Sequence, residues 1–355
     1  MYFCIMERQD IIFTSSVGQV LAESLNLLSY DKLFVLVDTT TRDKCLPLLQ
    51  NCSAMGKASV IVIHPDDVHK NVDTLCKVWE QLSCGSASRK SVLVNLGGGM
   101  VTDLGGFAAS AFKRGIKFIN IPTTLLAMVD ASVGGKTGVN FLGLKNEIGI
   151  FNNALVVLVD MAFLATLDAD NLNSGYAEML KHGLISDADH WKRLVNFDLD
   201  HPDWEILRGL VERSVEVKQK VVLEDPKEAG IRKALNFGHT LGHAFESLAM
   251  EQGSPILHGH AVAWGMVGEL YLSRILCGFP SDVMQQAVSF VRENYSVLHF
   301  DCKKYDRIYE LMTHDKKNAN GKIYATLLSG IGQVVLDQEL QKEVIFEALD
   351  FVREG

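Results

Sequence analysis

No Cys-x-x-Cys pair occurs among the 7 cysteines, which are scattered at Cys4, Cys45, Cys52, Cys76, Cys84, Cys277 and Cys302. An odd, dispersed set of this kind argues against a disulfide framework or a structural zinc knuckle and fits free thiols in a reducing compartment. Excess positive charge is also missing: 34 Lys and Arg stand against 43 Asp and Glu, a formal net charge of −9. That is the wrong sign for a nucleic-acid binder or for a protein that sits on an anionic membrane. Long apolar runs are absent too. The stretch Ala154 to Leu167 is broken by Asp160 and is too short to span a bilayer. Met1 to Asp10 has no basic segment leading into an apolar one, so no signal peptide is expected and the chain reads as cytosolic. Repeats and low-complexity segments are likewise lacking.

What is present is core-forming material, 48% hydrophobic residues in a chain of 355, which suggests about two domains. In the first half, short β-branched runs (33–37, 59–63, 91–95, 117–121 and 155–159) alternate with amphipathic segments such as Val72 to Leu82. Buried strands separated by helices indicate βαβ units and a largely parallel sheet, with Asp38, Gly97 and Pro122 at the carboxyl edge where such sheets bind ligands. After about Asp168 the pattern turns helical: 171–185, 204–222, 237–250, 261–276 and 282–295 all have helical spacing. The expected organisation is α/β, a Rossmann-like parallel-sheet domain over 1–168 followed by a mostly α-helical metal- and substrate-binding domain over 169–355.

Three groups of residues carry chemistry. In the first, Gly97-Gly98-Gly99-Met100-Val101-Thr102-Asp103 follows a strand and opens a helix. Glycines there let backbone N–H groups and the positive helix end approach a phosphate, although a tight strand-to-helix turn explains them equally well. Asp38 suits a ribose hydroxyl, or simply a helix N-cap. In the second, Pro122 to Gly138 offers Thr123 or Thr124 as the cap of a helix ending near Asp130. Glycine-flanked loops follow, one bearing Lys136 and the next Lys145 and Asn146. Either lysine alone is best read as a solvated surface charge; two so close together suggest anion binding. In the third, His239 and His243 stand at i, i+4, His258 and His260 follow a loop, and Glu178 lies on a separate helix. A lone histidine on an apolar helix is usually a core residue, but four within 22 positions, with a carboxylate, suggest an open zinc site. The metalloprotease Glu is missing, so that reading fails. Arg232, Asn236, His239 and His243 would share one face if their helix began early enough.

Five segments in order, GGGMVTDLGGF, PTTLLAMVDASVGGKTGVN, GYAEMLKHGLI, RKALNFGHTLGHAFE and HDKKN, resemble the 3-dehydroquinate synthases among the sugar phosphate cyclases, over about Asp38 to Asn318. The resemblance implies a fold shared with iron-type alcohol dehydrogenases and a metal, zinc or cobalt, held by Glu178, His239 and His258. Many members carry Glu at the position of His260, so this chain offers a second imidazole beside the expected ligand. The resemblance further implies an NAD site lined by Asp38, Asp67, Lys70, Gly98, Gly99, Asp103, Thr123 and Thr124, with Asp67 standing where Gly-Glu is usual. It places Asp130, Lys136, Lys145, Asn146, Lys181, Lys218, Arg232, Asn236, His243 and Lys316 at the substrate, a phosphorylated sugar acid, and has Arg114 reach a phosphate across a homodimer. Lys218 and Arg232, with Asn236, would suit the carboxylate; Lys136, Asn146, His243, Lys316 and Arg114 would suit the phosphate.

The implied reaction is a lyase reaction. A ring hydroxyl of 3-deoxy-D-arabino-heptulosonate 7-phosphate is oxidised transiently, phosphate leaves by β-elimination, the hydride returns, and an intramolecular aldol step closes 3-dehydroquinate. Three rival readings follow from the same parts. A metal-dependent polyol dehydrogenase of this fold would leave Lys136, Lys145, Arg232 and Lys316 unexplained. A cyclase acting on a substrate without a carboxylate would not need Arg232 and Asn236. A catalytically silent relative would be expected to have lost some of these positions.

Overall fold

The computed structural model describes residues 9–142, 144–313 and 322–354. The chain divides into two compact units, Met1–Asp168 and Ala169–Gly355. The first contains β1 (Asp10–Thr14), α1 (Val17–Asn26), β2 (Leu33–Asp38), α2 (Thr39–Lys44), β3 (Ser59–Ile63), α3 (Val72–Cys84), β4 (Val92–Gly97) and α4 (Gly99–Ala111). It continues with β5 (Lys117–Pro122), β6 (Lys136–Phe141), β7 (Leu144–Phe151) and β8 (Val156–Asp160). Six strands form one sheet in the order β1-β8-β5-β4-β2-β3, every pair parallel. All residues of β2, β4 and β8 are buried, so these strands read as unbroken apolar runs with no polar face.

Two features depart from the expectations above. β1 joins the sheet at its edge beside β8, and its half-exposed DIIFT is too mixed to announce itself. The segment around Lys136, Lys145 and Asn146, expected as two loops, is instead the antiparallel hairpin β6–β7, pairing Thr137 with Ile150 and Val139 with Ile148. Its glycines are needed for close approach: a Cβ on Gly149 would lie 2.2 Å from the Thr137 carbonyl oxygen.

The second unit contains α5 (Ala169–Ser186), α6 (Ala188–Val195), α7 (Trp204–Glu224), α8 (His239–Glu251), α9 (His258–Cys277), α10 (Ser281–Asn294), α11 (Tyr305–Thr313), β9 (Ile323–Gly330), β10 (Gln333–Leu340) and α12 (Lys342–Glu354). It is mostly helical, as its spacing indicated, with the hairpin β9–β10 added. α9 is its centre, buried at nearly every position from Gly259 to Ser273. α8 starts abruptly. Gly238, at φ 80°, turns the chain, and the fully buried Glu269 of α9 accepts hydrogen bonds from the backbone N–H groups of Gly238 (2.6 Å) and Leu241 (3.1 Å). A carboxylate from the neighbouring helix thus does the work of an N-cap and fixes where His239 stands.

The helical unit also contains a titrating group remote from the metal-ligand candidates. His190 on α6 is buried, with Nε2 3.0 Å from Ser214 Oγ on α7, and burial holds its pKa down at about 4 from an ordinary 6.5. The folded chain keeps this ring neutral, whereas the unfolded chain protonates it below 6.5. Its contribution is therefore complete above pH 6.5 and is lost as pH falls towards 4, about 3 kcal/mol in all. His190→Gln should flatten the decline in thermal midpoint between pH 7 and 4.5; parallel declines in both proteins would contradict this assignment.

All six cysteines among the described residues are free thiols, and no described helix is long and apolar enough to cross a membrane.

Candidate active site

In the helical unit, Glu178 of α5, His239 at the first position of α8 and His258 at the first position of α9 bring one ligand atom each within 4.8 Å of one another. Glu178 is completely buried, ion-paired with Lys181 one turn on, and Lys181 is itself buried. Its other oxygen, Oε1, has no hydrogen-bond partner and faces Nε2 of His239 at 3.4 Å and Nε2 of His258 at 3.6 Å. An interior carboxylate oxygen left unsatisfied between two ring nitrogens is costly unless a cation completes it. Tetrahedral zinc, with bonds of about 2.1 Å, sets neighbouring ligand atoms about 3.4 Å apart, so the donor set and its spacing fit such an ion.

The electrostatics agree. Burial works against the Glu178 charge, but Lys181 and then His239 outweigh it and hold the carboxyl well below its ordinary range. His239 goes down, chiefly through burial. His258 goes the other way: burial opposes its charge, yet Glu246 and Glu178 raise it to about 10. Metal binding requires the inward nitrogens of both rings unprotonated, so affinity for a cation should fall as pH falls.

Of the two imidazoles at the start of α9, only His258 belongs to this group. His260 turns away, with Nε2 3.3 Å from the Asp170 carbonyl oxygen and its ring edge-on to Tyr295. His243 lies alongside, its ring centroid 5.2 Å from that of His239 and 5.9 Å from that of His258. The expectation that Arg232, Asn236, His239 and His243 share one helix is corrected. Ile231–Asn236 is a separate 3₁₀ turn and α8 begins only after the Gly238 turn, because Gly238 leaves the right-handed region. Arg232 is buried and donates from Nη1 to the Pro226 carbonyl (2.7 Å), while its backbone N–H is held by Asp225 (3.1 Å). Asn236 donates to Glu228 (3.1 Å), and Lys218 is buried on α7. Lys316 lies outside the described residues.

In the sheet unit, the loops at the carboxyl edge gather the glycine turn. Gly98 is the cap residue of α4 and has no side chain to cap with, so no side chain at that position takes up the first N–H groups of the helix. Space is tight: a Cβ on Gly98 would stand 3.1 Å from Thr124 Cγ2 and one on Gly99 3.1 Å from Ala131 Cβ. Thr124, rather than Thr123, caps the following helical segment by accepting from the Ala127 N–H (3.1 Å), and Thr123 is anchored by its own N–H to Gly97 (3.0 Å). Asp130 lies in a π-turn, Ala127–Ala131, of the kind that often marks functional sites. Asp38 is a helix cap, accepting from Thr41 N–H at 2.8 Å within a capping box.

The hairpin joins two groups that the resemblance had kept apart. Lys70 donates to Asp103 (2.6 Å) and to Asn146 (2.5 Å), and Lys145 pairs with Asp67 (3.2 Å). Burial opposes the Asp67 charge, but Lys145 and Lys70 hold its pKa below the ordinary value. Asn140, which the residue-by-residue reading passed over, ties the network together by donating to Asp67 and accepting from the Asn146 N–H (2.9 Å). It is the final residue of the GGKTGVN segment and was legible there only as part of the motif. Lys136 starts β6. Arg114 is set apart, exposed in a turn where Lys113, Arg114 and Gly115 all have positive φ, at the amino end of β5 and so a full strand away from the glycine turn.

Sequence models of the 3-dehydroquinate synthase N-terminal and C-terminal regions match residues 60–174 and 175–318. A curated 3-dehydroquinate synthase from Parabacteroides distasonis is 55% identical over 99% of both chains. The chain belongs to the 3-dehydroquinate synthase family. The Sulfurovum 3-dehydroquinate synthase is 38% identical over 92% of this chain and 93% of its own. Family members convert 3-deoxy-D-arabino-heptulosonate 7-phosphate to 3-dehydroquinate and phosphate in the shikimate pathway, and this lyase reaction is the activity of the chain. Among solved structures, a Streptomyces hygroscopicus 2-epi-5-epi-valiolone synthase with NAD+ and Zn2+ bound superposes with a TM-score of 0.87 at 27% identity, covering 99% of this chain and 98% of that one. An iron-containing alcohol dehydrogenase shares the fold at a TM-score of 0.68 and 15% identity, covering 99% of both chains.

Proposed function

We propose that this 3-dehydroquinate synthase family chain holds zinc through Glu178, His239 and His258 and recycles NAD bound in the 1–168 unit, as a homodimer in the cytosol. The observation that carries the metal assignment is the buried Glu178 oxygen facing two imidazole nitrogens. Bound zinc supplies Lewis acidity to a substrate hydroxyl, and bound NAD supplies a hydride acceptor.

The remaining work falls to side chains. Lys181 keeps Glu178 ionised in an interior that would otherwise protonate it. Arg232 receives the substrate carboxylate through a planar, bidentate fork, with Lys218 as a point charge and Asn236 orienting. His243, beside the two proposed ligands, serves the phosphate. In the sheet unit, the glycine turn at Gly98 and Gly99, with Thr123 and Thr124, receives the NAD pyrophosphate at the start of α4, and Asp38, Asp67, Lys70 and Asp103 line the rest of that site. Asp130, Lys136, Lys145 and Asn146 meet the substrate, and Lys316 and Arg114 add charge for its phosphate, Arg114 from the neighbouring subunit. The position of Arg114 before the amino end of β5, opposite to the end that bears the glycine turn, supports that last role.

Phosphate release from the heptulosonate phosphate, followed with absorbance at 340 nm, tests the reading. Release should stop on chelation and proceed without net NADH; sustained NADH accumulation would favour a dehydrogenase instead. Arg232→Ala should raise KM for the sugar acid at least about tenfold, the scale of one charged hydrogen-bonded contact, while the Kd for NAD holds. Equal losses for both ligands would remove Arg232 from the carboxylate site.

A further inference from the structure

Glu246 lies seven residues after His239 on α8, two turns along the same face, and is buried. Its Oε2 stands 3.3 Å from Nδ1 of His258, the ring nitrogen opposite the one that faces Glu178. The other ring is held differently: His239 Nδ1 meets the Phe237 carbonyl oxygen at 3.1 Å. Both rings therefore present Nε2 inward because Nδ1 is engaged, one by a neutral backbone group and one by a carboxylate. A carboxylate at Nδ1 fixes the proton on that nitrogen, locks the ring plane and raises the electron density at Nε2.

We infer that Glu246 is a positioning residue that orients His258 towards the metal and strengthens it as a ligand. This inference rests on the reading of Glu178, His239 and His258 as the metal site. It gives the two histidines unequal parts. Both stand at the first position of a helix, but His258 is 27% exposed in its side chain and is anchored by a carboxylate, whereas His239, 11% exposed, is set by the Gly238 turn.

The test is zinc affinity, measured on the full chain by competition with a chromophoric chelator, together with the visible spectrum of the cobalt-loaded protein. Glu246→Ala removes both hydrogen bond and charge and should weaken zinc binding 10- to 100-fold. Glu246→Gln, which keeps an acceptor oxygen and the shape, should fall between that variant and the wild type, and the cobalt bands of both should shift. A merely structural role would lower the thermal midpoint of the metal-free protein without moving the zinc Kd or the spectrum, and that result would overturn the inference. Glu178→Ala is the control. If it retains zinc, the metal site itself has been misread; if it loses zinc while both Glu246 variants bind normally, only the role of Glu246 fails.

Discussion

Glu178→Gln should lose bound zinc and turnover together. The substitution keeps the volume of a side chain that has no exposed surface, so the pocket is unchanged in shape. It removes the one formal negative charge among the three proposed ligands and leaves Lys181 buried against a neutral amide. Two consequences follow from different physics. The metal contributes several kcal/mol to the reacting hydroxyl, so turnover should fall at least about a thousandfold. Removing one charged partner of this buried pair should destabilise the fold by about 3–5 kcal/mol. The double variant Glu178→Gln with Lys181→Met separates them. It should recover part of the thermal midpoint, because the ammonium that faced Glu178 is removed with its partner's charge, and still bind no zinc by elemental analysis. Zinc at full occupancy in Glu178→Gln would contradict the ligand set, whatever became of the stability.

The pairing of Glu178 with Lys181 was visible in the sequence as an i, i+3 spacing, and the two histidines as members of a cluster. What the sequence left open was which imidazoles face Glu178. His258 and His260 are two positions apart at the start of one helix, and helical geometry turns successive alternate residues about 200° away from each other. Only the docking of α9 against α5 selects His258 and sends His260 to the Asp170 carbonyl. The sheet was legible for a different reason. Strands buried on both faces, β2, β4 and β8, are continuous apolar runs, and the edge strand β3 and the strand β5 are Ile- and Val-rich runs of the same kind, so all five stood out. β1 is partly exposed, and β6 and β7 are interrupted by Gly138 and Gly149, so their sequences carry loop signals. Those glycines permit strand contact at 2.2–2.6 Å from a would-be Cβ, a requirement set by the partner strand and invisible along the chain. The same limit applies to Arg232 and Asn236. Their spacing from His239 is helical, but the turn at Gly238 places them on a separate element.

Gly259→Ala should disable the metal site without touching a ligand. A Cβ at position 259 would lie 1.8 Å from the Ser174 carbonyl oxygen and 2.5 Å from its carbon, backbone atoms that no rotamer change can move. Ser174 also accepts the Gly259 N–H on its hydroxyl (3.1 Å), so α5 and α9 are in direct contact here. Glu178 is one turn beyond Ser174 on α5, and His258 is the residue before Gly259. Forcing a methyl group between the helices must therefore part the two proposed ligands, whose facing atoms stand 3.6 Å apart. Overpacking of this kind costs about 3 kcal/mol, and the displacement should weaken zinc binding more than tenfold. Gly56→Ala is the matched control: nothing lies within 4 Å of its would-be Cβ, and its thermal midpoint should stay close to that of the wild type. If Gly259→Ala melted and bound zinc like the wild type, the close approach of α5 to α9 would not be what holds Glu178 against His258.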